Sequence, residues 1–212
     1  MSNHVGPIAT NVAVNLDGFR MDIPASSKET GLRDLLQMGY NSIDLSARFE
    51  QVWDQAASKL KINELSLRMA GMFAARASAE VSNATKELFT LDKAVVAVAA
   101  LGLSANTLSV NLRNEGLFEK LIAKQAKENN EKPGDVRAQI AAAATLMVPM
   151  MLGDHPAAKS LGAVLGKFVA EPRTLTVTLK AQGAGLGATD FIAASDPMDL
   201  LKKIDITATA NE

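Results

Sequence analysis

From Leu65 onward the apolar residues Leu65, Leu67, Met69, Phe73, Ala75, Ala77, Ala79 and Val81 occupy odd positions. Ser66, Arg68, Arg76, Ser78 and Glu80 occupy the even ones. A period of two predicts extended chain with one buried and one wet face. Upstream, Leu60 and Ile62 are in the opposite phase, so an extra residue near Asn63 and Glu64 must turn the chain over, as a β-bulge does. Gly71 interrupts the run, as a bend in one long strand or as the turn of a hairpin with Ala70 and Met72.

The same alternation recurs along the chain. Val12, Val14 and Leu16 are followed, after Asp17-Gly18, by Phe19, Met21 and Ile23 in shifted phase, which predicts two short strands or one bulged strand. Further strands are predicted over 41–50 (Ile43, Leu45, Ala47, Phe49), 106–113 (Leu108, Val110, Leu112), 173–180 (Leu175, Val177, Leu179) and 203–209 (Ile204, Ile206, Ala208). Trp53 falls in the connection after the first of these, where it should anchor the loop to the core.

Between them lie helical patterns. Leu32, Leu35 and Leu36 predict a helix over 31–38, and LDKAVVAVAAL predicts one over 91–101 with Thr90 as its N-cap. Leu117, Leu121, Ile122 and Ala126 form the stripe of a surface helix over 115–129. Pro133 opens a helix over 135–152 whose second half, IAAAATLMVPMML, carries no charge on any side and is expected to be buried, with Pro149 kinking or ending it. Asp154 and Pro156 bracket the start of the next helix, in which Gly162 and Gly166 permit close approach. Ser195 or Asp196 caps a last short helix begun at Pro197.

Strands with one apolar and one polar face are the signature of an antiparallel sheet wet on one side. The expected fold is α+β: a bent, largely antiparallel sheet with one solvent-exposed face, and helices packed on the other around the buried apolar helix. Residues 1–10 read as a polar leader or an added segment, and 11–212 as a single domain, the C-terminal part of a longer protein.

Composition narrows the chemistry. With 22 basic and 23 acidic residues and a net charge of −1, the chain has no electrostatic footprint for nucleic acid. The absence of cysteine excludes disulfides, thiolate metal sites and a cysteine nucleophile. Only His4 and His155 are present, so neither a metal site nor a cofactor is expected, and His155 reads as a helix-entry residue. No catalytic constellation emerges, and no apolar run is long enough to span a bilayer as a helix. GAGLGATD (183–190) follows a strand and precedes a short helix, the setting of a phosphate cradle. Its spacing is GxGxG, so the turn Gly183–Gly187 supports a phosphate- or nucleotide-binding enzyme only as a remote alternative.

Several phrases, LQMGYNSIDLS, WDQAASKLKINELSL, GLFEKLIAKQAKE and FIAASDPMDLLKKIDITATAN, resemble a group of uncharacterised exported proteins of alphaproteobacteria. The resemblance implies a periplasmic location and a missing N-terminal part, and assigns no activity. The residues themselves suggest a non-enzymatic envelope protein that binds or shields a lipid or another apolar small molecule. Phe73, Ala75, Ala77 and Ala79 on the strand face, with Met147, Met150 and Met151 on the uncharged helix, would line the ligand. The alternative is a fully packed scaffold or protein-interaction domain, with a protein partner in the envelope.

Overall fold

The protein is described by a computed structural model covering residues 4–153, 155–194 and 196–212. Two short strands, β1 (His4–Val5) and β2 (Ile8–Ala9), form a small hairpin. The chain continues through β3 (Val12–Asp22), α1 (Thr30–Gln37), β4 (Ser42–Asp54), β5 (Lys59–Met69) and β6 (Phe73–Ser82). A 3-10 turn (Lys86–Phe89), α2 (Lys93–Leu101), β7 (Ser104–Asn114), α3 (Leu117–Asn129), α4 (Pro133–Leu152) and α5 (Pro156–Ala170) follow. The chain closes with β8 (Thr174–Ala181), β9 (Leu186–Gly187), α6 (Ala188–Ala193), α7 (Pro197–Leu201) and β10 (Ile204–Ala210).

The fold is α+β, as the alternation predicts. An eight-stranded antiparallel sheet runs in the order β10-β8-β7-β6-β5-β4-β3, with β9 paired to the start of β7. Gly71 is the turn of the β5–β6 hairpin rather than a bend in one strand. Both predicted phase changes are register shifts, between Leu16 and Phe19 in β3 and between Ile62 and Leu65 in β5. A bulge inserts one residue, which returns the apolar side chains to the same face on either side of it.

Among the described residues the core is split among three clusters instead of lying along the sheet. Ile23, Tyr40 and Met72 gather α1, Met69, Phe73 and Leu117 at one end. Trp53, Ala84 and Phe89 gather Val5, Ile8 and Leu60 at the other. Ile122, Ala126 and Val136 join α3 to α4. Residues 4–10, read as a leader, pack into this structure, with Val5 and Ile8 against the Trp53 cluster and Thr10 fully buried.

Two local expectations are corrected, and a third, His155 at a helix entry, is met. Trp53 lies in the last residues of β4, paired with Leu60, not in the connection. It is buried there, its Nε1 donating to the Ala84 carbonyl at 2.6 Å and its ring 4.6 Å from that of Phe89. The N-cap of α2 is Asp92, whose carboxylate accepts from the N–H groups of Ala94 and Val95 at 2.9 and 3.3 Å. Asp92 immediately precedes the first helical residue and reaches both N–H groups, whereas Thr90 lies two residues earlier. His155 is the N-cap of α5, its Nδ1 accepting from Ala157 N–H, whereas Asp154 and Ser195 lie outside the described residues.

The uncharged half of α4 is not enclosed by the sheet. The helix that lies on β8 and β10 is α5, with Phe168 and Val169 buried. α4 forms a further layer against α5, where Gly162 and Gly166 let the two backbones approach. A Cβ at Gly162 would sit 3.0 Å from the Thr145 carbonyl and 3.1 Å from Pro149 Cδ. That carbonyl is the one a proline at 149 deprives of its helical amide, and α4 nevertheless continues to Leu152. Close approach covers only one side of α4, so Leu146, Met147, Met150 and Met151 face outward, Met150 at 82% exposure.

Candidate functional site

The feature that the packing leaves unexplained is the apolar face of the sheet. Because antiparallel partners share a face, the registers define continuous rows across it. Val14, Phe49, Leu65, Ala77, Val110, Val177 and Ala208 form one row from β3 to β10. Leu16, Ala47, Leu67, Ala75, Leu112, Leu175 and Ala210 form the row beside it. On the other flank Ile62, Ala79, Leu108, Leu179 and Ile206 continue the surface.

Among the described residues, helices cover this face only at its margins. α1 and α3 close the end at Ile43, Met69 and Phe73, and α5 covers the β8–β10 side. The middle stays open: Leu65 and Phe19 are each 53% exposed, and Val14, Leu16, Leu108 and Val110 are exposed as well. Monomeric proteins rarely leave contiguous apolar surface of this kind without a use for it.

Phe73, Ala75, Ala77 and Ala79 lie together on this face of β6, as expected. Phe73 is at its closed end, where it borders an apolar hollow of about 200 Å³ with Leu112, Leu117, Phe118, Leu121 and Phe168. Ala75 and Ala77 lie farther along, each a short side chain between larger ones on the neighbouring strands, Leu67 and Leu112 beside Ala75, Leu65 and Val110 beside Ala77. Met147, Met150 and Met151 are on the outward side of α4, whose neighbours are α5, α3 and α7, so the structure does not bring them against the alanines. The sheet-side lining missing from the sequence-derived set is Val14, Leu16, Phe19, Phe49, Leu65 and Val110. The alternation already marked these residues, but only the strand order makes them neighbours.

The opposite face is polar and laced with ion pairs. Glu64 pairs with Arg48 and Arg76 at 3.6 and 3.3 Å, and Glu115 with Arg68 and Arg113 at 3.0 and 2.7 Å. Arg48, Arg68, Arg76 and Arg113 edge a hollow of about 360 Å³ over Ser46 and Ser66. Hydrogen bonds, from Arg48 to Glu50 and from Arg68 to Glu115 first, hold both carboxyls below the usual carboxylate range. Lys59 does the same for Glu80. This is a water-facing surface, and an acyl chain has no place on it.

The GAGLGATD turn has a packing role. Gly185 adopts a positive φ of 99° and approaches β7 so closely that a Cβ would lie 2.9 Å from the Ala105 carbonyl. The Gly187 N–H that would meet a phosphate already donates to Asp190 Oδ2 at 2.8 Å, and Asp190 is held by Lys203 at 2.6 Å. The anion position at this helix start is filled by the chain's own carboxylate.

Among the described residues no helix is long and apolar enough to cross a membrane. A family model described as "Uncharacterized protein" matches residues 66–211, from β5 to the end of β10. No curated protein and no solved structure matches the chain.

Proposed function

We propose that this chain, which belongs to the family just described, is a non-enzymatic protein that holds an apolar ligand of the acyl-chain type against the open face of its sheet. The observation that carries the reading is the row Val14, Phe49, Leu65, Ala77 and Val110, in which Val14, Leu65 and Val110 are exposed, Phe49 and Ala77 are half-buried, and larger side chains flank the small Ala77. Covering a half-exposed Leu, Val or Phe recovers on the order of 1 kcal/mol each, and the buried surface of the acyl chain itself adds to that gain. The outward methionines of α4 would contribute adaptable surface at the margin. The bacterial envelope, where such ligands are abundant, is the proposed location, in keeping with the resemblance to exported alphaproteobacterial proteins.

The test is native mass spectrometry of freshly purified protein, followed by organic extraction and lipid analysis. A stoichiometric apolar adduct, lost in Ala77→Trp and Leu65→Glu while the fold is kept, is the expected result. A clean apo mass, with no uptake of offered fatty acid, overturns the reading.

A second reading, a protein-interaction module, is favoured by one observation. β3 ends the strand order, so its outer edge is unpaired within the sheet, and both of its faces are largely exposed. An edge of that kind accepts an added strand. A partner recovered on β3 and displaced by Val14→Pro, with no lipid in the extract, would favour it.

A further inference from the structure

One end of the sheet gathers three apolar segments. α2 leaves from the end of β6 and returns into β7, and from Ala94 to Leu101 it contains only Ala, Val and Leu. Its packing neighbour is the 3-10 turn, which leaves the rest of its circumference outward: Val98 is 71% exposed, and Leu91 and Leu101 are exposed beside it. α6 starts at the same end, because β9 pairs Gly187 with Ser104 and Leu186 with Ala105. Its Phe191 and Ile192 are exposed, Ile192 at 81%. α4 ends there too, since Gly153 lies against Met198 of α7, and α7 leads into β10, whose approach carries Lys203 onto Asp190 of α6. Met150 and Met151 are therefore on the same end as Val98 and Ile192.

The distribution of apolar surface around α2 identifies what covers it. A helix that docks in a protein groove presents one apolar stripe and keeps a polar back. α2 has no polar back, so its surroundings must be apolar on nearly every side, as in the acyl region of a bilayer. Its nine residues span about 14 Å, less than half of the ~30 Å hydrocarbon core, which permits insertion and excludes spanning. The charges bordering these segments come in both signs: Lys86 with Glu87, Asp92 with Lys93, Lys202 with Asp199 at 3.3 Å, and Lys203 with Asp190. That balance matches a zwitterionic headgroup layer, which offers both signs, and gives no preference for an anionic one.

We propose that this end of the molecule docks on a neutral lipid surface by inserting α2, with Phe191, Ile192 and the tip of α4 around it. Only two residues separate α2 from β7, which carries Leu108 and Val110 onto the open sheet face, so the docked end is continuous with the ligand surface. The purpose of docking, passage of an acyl chain between bilayer and sheet, rests on the ligand-holding reading; the insertion does not.

The chain has no cysteine, so Val98→Cys carries a single nitroxide label. Mixed with phosphatidylcholine vesicles, the full chain is expected to co-sediment at low and high salt alike. The label at 98 should gain oxygen accessibility and lose accessibility to an aqueous nickel chelate, while a label at Lys132→Cys, exposed at the opposite end of α4, stays aqueous. Val98→Asp with Leu101→Asp should weaken vesicle binding at least about tenfold, since a buried aspartate is strongly disfavoured in hydrocarbon. These positions are exposed, so an unchanged circular dichroism melt verifies that folding is intact. Absence of wild-type binding, binding that only anionic lipid supports, a label at 98 that stays aqueous, or undiminished binding by the double aspartate variant each overturns the proposal. Protection of the label by self-association of the chain overturns it as well. Vesicle binding without any acyl-chain uptake keeps the docking and removes the ligand-holding reading. Uptake without vesicle binding does the reverse.

Discussion

Gly166 of α5 lies directly beneath Thr145 of α4, so that a Cβ on Gly166 would overlap the threonine hydroxyl and come 3.0 Å from the Ala141 carbonyl. The hydroxyl already donates to that same carbonyl at 3.0 Å, so it has little freedom to move aside. The α4–α5 contact therefore depends on the absence of a side chain.

Gly166→Ala is expected to lower stability by about 1–3 kcal/mol, the cost of overpacking, despite the roughly 1 kcal/mol that alanine gains over glycine in a helix. Thr145→Ala in the same chain should restore part of the loss by removing the hydroxyl. Urea unfolding of the two single variants and the double variant measures the coupling. Additive losses would show that the two residues do not touch.

Leu65→Glu is expected to lower stability by only about 1 kcal/mol, because just the half of the side chain that is out of water is lost. Met72→Ala, at a position 1% exposed between β5 and β6, should cost about 2–5 kcal/mol. Unfolding midpoints of the pair distinguish an open sheet face from a covered one. A Leu65→Glu loss as large as that of Met72→Ala would mean that the face is covered.

Trp53→Phe should cost about 1–3 kcal/mol although most of the ring is retained. It leaves the Ala84 carbonyl without the indole donor at a buried position. Thermal denaturation followed by circular dichroism measures it. The site is remote from Leu65 and Ala77, so ligand uptake should be unaffected.

Stability should fall in acid. The carboxyls of Glu50, Glu80 and Glu115 have folded-state pKa values below the ordinary 4.5, each first through a hydrogen bond from Arg48, Lys59 and Arg68 respectively. As the pH drops, the unfolded chain takes up protons before the folded one does. The contribution is thus fully present above about pH 4.5 and is lost as the pH falls through the lowered folded values. Urea midpoints measured between about pH 7 and pH 3 should decline only in the lower part of that range. Glu115→Gln should make the decline shallower.

Alternation is a local property: successive side chains of an extended backbone point to opposite faces whatever the neighbours are. For that reason the seven long strands, the bulges before Phe19 and Leu65, the α+β class and the shared face of Phe73, Ala75, Ala77 and Ala79 were legible in the sequence alone, whereas the two-residue strands β1, β2 and β9 are too short to show an alternation. The close approach at Gly162 and Gly166 was legible too, because only glycine leaves room for a facing backbone. What covers an apolar surface is not local. Ile140–Leu152 carries no charge and reads as a core helix. The tertiary structure instead gave the place on the sheet to α5 and left Met147, Met150 and Met151 outside, away from the alanines they were expected to face. Strand order decided in the same way that Val14, Phe49, Leu65 and Val110 form one row and that helices reach only its margins. Apolarity specifies that a residue gains by leaving water, whereas the surface that lets it do so is chosen by contacts between segments far apart in the chain.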